Sequence, residues 1–292
     1  MASPTYMTRA LVLRKTKLGE TDLVVTLLAQ DGSQVRAVAK GARKPANAFS
    51  ARLELYSVVD VLCSKGRSLD VVSEARLVAS NERVRLDLEH AAAAAPMAEL
   101  LDRMTHDGLE NPRLFACTEA AFARMGGLPG AHAPLMCAAH LLKALALSGL
   151  RPSLDACVAC GAPVDAGAAG EVAFVSCREG GVVCPRCRAQ VEAVAVPAST
   201  LEWMRYLLGA TFADVAAAGP ALDAAFAVLR FCREWVREHV GCTLKSLDFL
   251  FSCGLYEDAG AQASPDPAGA RSGAGSAPAG AGGDGEKAPA AP

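Results

Sequence analysis

Residues 157–161 read CVACG and residues 184–187 read CPRC, with 23 residues between the two inner cysteines. A CxxC turn lets both of its sulfurs face one point, and its backbone amides can donate hydrogen bonds to those sulfurs. Four thiolates that leave no open coordination position are typical of a structural Zn²⁺ site rather than a catalytic one. The spacing therefore predicts one zinc ion in an insert over residues 154–190, with the ligands Cys157, Cys160, Cys184 and Cys187.

Other chemistries of the same four cysteines remain open from the sequence. An iron–sulfur cluster would also use thiolates, although the two pairs do not form a ferredoxin-like run. A redox pair needs one CxxC beside a βαβ unit, and disulfides need an oxidising compartment, for which no secretory signal is evident. A degenerate site without metal is the last alternative. Cys177, inside the spacer, is interpreted as a small hydrophobic residue at a strand position rather than as a fifth ligand.

The remaining composition indicates a cytoplasmic protein of about two domains. The chain has 292 residues and eleven cysteines, seven of them outside the two CxxC pairs. Several of these seven lie in apolar helix or strand contexts, which favours reduced, buried thiols. No apolar run approaches the ~20 residues of a membrane span, so no membrane association is expected.

The first 80 residues predict a small closed β-barrel. Apolar and polar residues alternate in five short segments that are separated by tight turns. The expected strands are residues 6–13, 23–29, 34–39, 53–64 and 69–79. An OB-fold is the natural candidate for five short strands in this length. The fold class expected for the whole chain is α+β, with this OB-fold barrel followed by a helical domain that carries the zinc insert.

Charge indicates a polyanionic partner for the barrel. Residues 1–80 carry 12 Lys and Arg against 7 Asp and Glu, whereas the rest of the chain is net acidic. A basic, glycine-containing segment over residues 40–47 separates the third and fourth strands, where long cationic side chains could follow a nucleic-acid backbone. Few aromatic residues accompany them, which favours backbone contact over base reading. The DNA-binding candidates are Arg14, Lys17, Arg36, Lys40, Arg43 and Lys44.

Residues 81–256 predict a helical domain, and residues 257–292 predict a disordered tail. Pro96 is expected to break the segment 82–104 into two helices. A later amphipathic helix places an apolar stripe from Leu222 to Val240, with Trp235 off that stripe. The tail is rich in Ala, Gly, Pro and Ser and lacks the apolar residues needed to order it. No triad, P-loop or dinucleotide motif is present, so no catalytic residues are assigned.

The order of these segments resembles a known family. The segments TRALVL at 8–13, GETD at 19–22 and AKGARK at 39–44 look like the N-terminal domain of the bacterial recombination mediator family RecO. The two CxxC pairs, with GGVVC at 180–184 leading the second, are similar to the zinc insert of that family. The resemblance covers about residues 5–255.

This resemblance implies a non-enzymatic role in DNA repair and recombination. Members of the family bind single- and double-stranded DNA and anneal complementary strands. With RecR, and in some contexts RecF, they help to load RecA onto DNA coated by single-stranded-DNA-binding protein, whose acidic C-terminal tail they contact. No short motif carries the pocket for that tail onto this sequence.

Two functions from other classes compete with this interpretation. A zinc-ribbon transcription regulator would read duplex DNA with an exposed recognition helix, and no such helix is evident in the sequence. A thiol oxidoreductase would use one CxxC pair and would cycle between dithiol and disulfide without metal.

Overall fold

In the computed structural model, residues 3–45, 47–165 and 171–256 are described. The chain begins with five strands that form one closed barrel in the order β1-β2-β3-β5-β4. The elements of this part are β1 (Thr5–Leu18), β2 (Asp22–Ala29), β3 (Gln34–Ala39), the short helix α1 (Ala48–Arg52), β4 (Val58–Ser64) and β5 (Asp70–Ala79). The predicted five-stranded barrel is therefore confirmed.

Two strand predictions differ from the structure. β1 continues to Leu18, five residues beyond the expected end at Leu13, because a register shift between Val12 and Arg14 lets the strand bend and keep pairing with β2. The fourth strand begins at Val58 instead of residue 53. Leu53 is fully buried at the end of α1, and Tyr56 has a positive φ of 67°, so the chain turns before it can enter the sheet.

A helical domain follows the barrel. Its helices are α2 (Glu82–Leu86), α3 (Leu88–Met104), α4 (Pro112–Met125), α5 (Ala133–Leu147), α6 (Ala198–Gly209), α7 (Phe212–Ala217), α8 (Leu222–His239) and α9 (Lys245–Ser252). The expected break at Pro96 was wrong, because α3 runs through this buried proline. The break lies at Asp87, whose backbone is extended and whose side chain accepts a hydrogen bond from the His90 amide as an N-cap.

α5 lies at the centre of the helical domain and packs against α3, α4, α6 and α8. By length and composition alone, the stretch Gly130–Leu147 could cross a membrane, but 72% of it is buried inside the protein, as in a core helix. Trp235 was wrongly placed off the apolar stripe. Its side chain is buried, and its indole Nε1–H donates to the Leu150 carbonyl at 2.9 Å, which satisfies the one polar atom of the ring.

The barrel interior forms its own hydrophobic core, and residues on the outer face of the barrel join the core of the helical domain. Leu11, Leu28 and Val58 point outward from the barrel and join the helical core. Tyr56 stacks on Phe122 of α4 with ring centroids 5.1 Å apart. Gly32, in the turn between β2 and β3, lies so close to the start of α4 that a Cβ there would be 2.0 Å from a backbone oxygen. The barrel and the helical domain are therefore in direct contact at Tyr56 and at Gly32.

The insert between α5 and α6 contains a separate three-stranded sheet in the order β7-β6-β8. Its strands are β6 (Val172–Ser176), β7 (Gly181–Val183) and β8 (Val194–Pro197). Residues 166–170 inside the insert, and the predicted tail over 257–292, lie outside the described residues.

Candidate metal centre and nucleic-acid surface

The insert brings four cysteine sulfurs to one point. The Sγ atoms of Cys157, Cys160, Cys184 and Cys187 all lie within 4.8 Å of one another. The Cys160 and Cys184 sulfurs are 3.8 Å apart, far longer than the ~2.05 Å of a disulfide. An edge of a tetrahedron built on Zn–S bonds of ~2.3 Å measures about 3.8 Å. The cluster therefore has the donor set and the dimensions of a site that could hold one tetrahedral metal ion.

Backbone pairing between the two CxxC segments produces this arrangement. Val158 donates its amide to the Val182 carbonyl at 2.9 Å, and Val182 donates to the Ser153 carbonyl at 2.8 Å, so β7 lies beside the first CxxC turn. This contact requires Gly181, because a Cβ at that position would lie 2.1 Å from the Ser153 oxygen. Cys157, Val183 and Cys184 form the small apolar core beneath the sulfurs.

Backbone amides tune the two buried sulfurs toward the thiolate form. The N–H of Cys184 donates to the Cys157 sulfur at 3.3 Å, and this bond, with amides of the first turn, lowers the pKa of Cys157 to about 6. The amide of Cys187 lowers the pKa of Cys184 in the same way. Hydrogen bonds shared with the sulfurs of Cys160 and Cys184 raise the pKa of Cys187 to about 12. The cluster stabilises some thiolates by itself, and a bound cation would stabilise all four.

Cys177 lies apart from the cluster and immediately after β6. Its side chain packs against the main helical core, and burial raises its pKa to about 11. Its carbonyl accepts a hydrogen bond from His239 Nε2 of α8 at 2.8 Å. Burial also raises the pKa of Cys63 and of Cys117 to about 11. These thiols are consequently poor nucleophiles near neutral pH.

Arg205 of α6 binds the residues that flank the first CxxC pair. Sequence patterns did not reveal this role. Its guanidinium Nη2 donates to the carbonyls of Leu154 and Val164, at 2.6 Å each, and its Nε lies 3.2 Å from the Asp155 carboxylate. These carbonyls belong to the two arms of the loop that carries Cys157 and Cys160. Nη2 therefore joins both arms, and Nε adds a second hydrogen bond to the Leu154 carbonyl at 3.1 Å.

We expect Arg205→Ala to loosen metal binding without abolishing the fold. Residues that orient ligands from outside the coordination sphere typically affect metal affinity by about 10–100-fold. The measurement is the rate of zinc transfer to a chromogenic chelator, which should rise in the variant. Arg237→Ala is the matched control, since this exposed arginine pairs with Glu234 away from the cluster. Equal transfer rates for Arg205→Ala and the wild type would contradict this role.

The basic segment over residues 40–47 is tied to the turn between β1 and β2. Asp22 Oδ1 accepts the Gly41 amide at 2.8 Å, and the Arg43 amide donates to the Thr21 carbonyl at 2.9 Å. The Gly41 N–H, the Thr21 hydroxyl and the nearby Lys40 and Lys44 charges together lower the pKa of Asp22. Residues 40–45 are thus a series of turns that presents Lys40 and Lys44 at one end of the barrel.

The six DNA-binding candidates fall into two groups by their partners. Arg14 forms an ion pair with Asp102 of α3 at 3.1 Å, and Arg43 Nη1 donates to the carbonyls of Gly19 and Glu20. Both guanidiniums are exposed, but each already has an intramolecular partner. The remaining four are exposed and lack a carboxylate within 4.0 Å in the described ranges; they are Lys17, Arg36, Lys40 and Lys44.

Most aromatic side chains of the barrel are buried or already contact other residues. Tyr56 is buried against Phe122, and the Tyr6 hydroxyl donates to Asp70 while Lys65 Nζ lies 4.8 Å from the Tyr6 ring centre. Phe49 is half-buried against the barrel core. The barrel therefore offers charge rather than a row of free rings for base stacking.

Comparison with known proteins matches both parts of the chain to one family. Residues 1–81 match the model for "Recombination protein O N terminal", and residues 85–248 match the model for "Recombination protein O C terminal". The chain belongs to the RecO family. Together the two matched regions span the closed barrel and most of the helical domain.

Individual relatives agree with this assignment. A "DNA repair protein RecO" from Frankia casuarinae is 35% identical over 254 residues, covering 85% of this chain and 98% of the relative. One from Nocardioides is 34% identical, covering 74% of this chain and 86% of the relative. One from Bifidobacterium longum is 38% identical over 184 residues, covering 61% and 72%. RecO membership gives this protein a role in DNA repair and confirms the resemblance noted in the sequence.

Proposed function

We propose that this RecO protein is a non-enzymatic mediator that binds single- and double-stranded DNA and anneals complementary strands. The observation that carries the proposal is the row of unpaired lysines at one end of a RecO-type barrel. Lys17, Lys40 and Lys44 are exposed there on ordered backbone, where they can neutralise phosphates of any sequence. Neutralising two complementary backbones lowers their mutual repulsion, which speeds pairing without any chemical step.

We further propose the partners that RecO family membership implies. With RecR, and in some contexts RecF, the protein helps to load RecA in the bacterial cytoplasm, and it contacts the acidic C-terminal tail of single-stranded-DNA-binding protein. The helical domain is the larger surface for these contacts. No residue of this chain is assigned to any of them.

The metal in this proposal is one structural Zn²⁺ held by Cys157, Cys160, Cys184 and Cys187. Zinc supplies no chemistry to annealing and instead fixes the two CxxC segments relative to each other. The insert packs on the helical domain through apolar residues such as Val175 and Val182, and through the hydrogen bonds of Arg205 with the first CxxC segment and of His239 with the Cys177 carbonyl.

Annealing of bare oligonucleotides tests the proposal directly. We expect the protein to accelerate pairing of two complementary strands of unrelated sequences to a similar extent, because phosphate contacts do not read bases. Fluorescence quenching between end-labelled strands measures the rate. A transcription regulator would instead prefer one duplex sequence. Equal annealing rates with and without protein would contradict the proposal.

A further inference from the structure

Ion pairing separates the cations of the barrel into two classes. Seven of the twelve Lys and Arg in residues 1–80 have an intramolecular partner: Arg9, Arg14, Lys15, Arg43, Arg52, Lys65 and Arg76. Within the described part of the chain, five form neither an ion pair within 4.0 Å nor a hydrogen bond through the side chain, although Lys40 and Lys44 lie near Asp22: Lys17, Arg36, Lys40, Lys44 and Arg67. Arg67 is the one member of this second class that sequence patterns did not single out.

Strand pairing brings Arg67 beside β3. β3 and β5 pair in parallel with Ala37 opposite Asp70, so the turn that precedes β5 lies next to the first half of β3. Arg36 lies on the outer face of β3, because its neighbours Val35 and Ala37 point into the barrel core. Lys40 follows directly after the last residue of β3, and both side chains are exposed. The unpaired cations therefore continue from Lys44 and Lys40, along β3 to Arg36, and across to Arg67.

The turn that carries Arg67 is fixed by its own contacts. The Lys65 amide donates to the Pro4 carbonyl at 2.9 Å, and the Gly66 amide donates to Asp70 Oδ1 at 3.0 Å. Lys65 Nζ also lies 3.5 Å from Asp70 Oδ2. Gly66 admits no side chain, because a Cβ would lie 1.8 Å from the Leu69 oxygen. Asp70 is satisfied by these donors, so its charge does not compete for Arg67.

Arg36 and Arg67 line a cavity of about 320 Å³ between the barrel and the loop after α3. Lys65 and Asp70, which form an ion pair, line the cavity beside the two arginines, and His106 and Asp107 line it from the loop after α3. Two guanidiniums without carboxylate partners that line one cavity match a phosphate, which arginine binds with two parallel hydrogen bonds.

We propose that Arg36 and Arg67 form a second phosphate-binding pocket that lengthens the path for a single strand of nucleic acid beyond the lysine end of the barrel. The inference rests on the proposed DNA-binding function. It adds the position of a further phosphate contact and the length of the bound strand. From Lys40 to Arg36 the strand covers about 13 Å. That distance is roughly four nucleotides at the 3.4 Å rise of one B-form strand and fewer in an extended strand.

The test compares Arg67→Ala with Arg76→Ala in the full-length protein by fluorescence anisotropy on oligothymidylates. Arg76 is the matched control, since it is an exposed arginine on β5 whose guanidinium is paired with Asp60 at 2.8 Å. On an oligonucleotide of about 20 nucleotides, Arg67→Ala should weaken binding and reduce the salt slope by about 0.7, the value for one phosphate contact on a single strand. On an oligothymidylate of about 4 nucleotides, which Lys17, Lys40 and Lys44 can bind without Arg67, the Arg67→Ala substitution should have only a small effect.

A charge change in the loop after α3 tests the pocket independently. Asp107→Asn should tighten binding of the longer oligonucleotide, because it removes a negative charge that lines the same cavity. If Arg67→Ala and Arg76→Ala bind the longer strand with the same affinity and salt slope, the proposed phosphate-binding pocket is refuted. If the wild type itself shows no salt-dependent binding, the proposed DNA-binding function fails instead, so the two failures are distinguishable.

Discussion

Replacing Cys184 and Cys187 together by serine is expected to remove the metal entirely. Wild-type protein should contain one zinc per chain by elemental analysis, and the double variant should contain none, because two hard hydroxyls cannot replace two thiolates. Apparent binding free energies for four-ligand structural zinc sites are about 10–16 kcal/mol near neutral pH, and that energy is part of the folding free energy. The insert should therefore lose its protection from proteolysis, while the barrel, which packs elsewhere, should keep its own.

Cys177→Ser provides the control for this experiment. Cys177 contributes its carbonyl, not its sulfur, to the contact with His239, and its side chain lies against the helical core. Zinc content should remain at one per chain in this variant. Full zinc in the Cys184/Cys187 double variant would refute the assignment of the ligands, and metal that is iron rather than zinc would refute its identity.

Replacing Lys17, Lys40 and Lys44 together by alanine is expected to cause the largest loss of DNA binding. If each lysine neutralises one phosphate, the salt slope on a single strand should flatten by about 2, and affinity at ~0.05 M salt should fall by about two orders of magnitude. The loss should be equal for unrelated sequences, because these contacts carry no base information. Affinity measured against salt concentration for wild type and variant gives both quantities.

Arg43 is left out of this triple variant because its guanidinium holds the turn between β1 and β2 through two backbone carbonyls. Its removal would disturb the position of the neighbouring lysines and confuse a loss of charge with a loss of structure. A triple alanine variant of Arg9, Lys15 and Arg76, each of which is paired with a carboxylate, controls for the same loss of three positive charges. Parallel salt plots for wild type and the triple variant, with equal affinities, would exclude this end of the barrel as a binding surface.

The metal cluster was predictable because its geometry is local. A CxxC turn fixes two sulfurs by itself, so only the approach of the two turns was left to the fold. The close backbone contact at Gly181 is seen only in the structure. Arg205 was not predictable, because its partners Leu154 and Val164 are backbone carbonyls about 40 to 50 positions earlier in the chain. A carbonyl acceptor is present at every residue and leaves no trace in side-chain patterns.

The fold also has parts that the sequence predicted and parts that only packing decided. Alternating apolar residues and tight turns were enough to predict five strands and closure, since the period of two decides which residues enter the interior. The path of α3 through Pro96 and the burial of Trp235 were decided by packing against neighbouring helices, which outweighs local helix propensity.

The sequence by itself determined the kinds of groups this protein offers: four thiolates in two turns and a cationic first domain. Only the tertiary structure decided which cations are available. Arg14 and Arg43 look equivalent to Lys40 and Arg67 along the chain, yet the fold pairs the first two with Asp102 and with turn carbonyls and leaves the other two exposed and unpaired within the described residues. The physical reason is that charge is a property of a residue, whereas its compensation depends on groups that are distant in sequence and are brought near only when the chain folds.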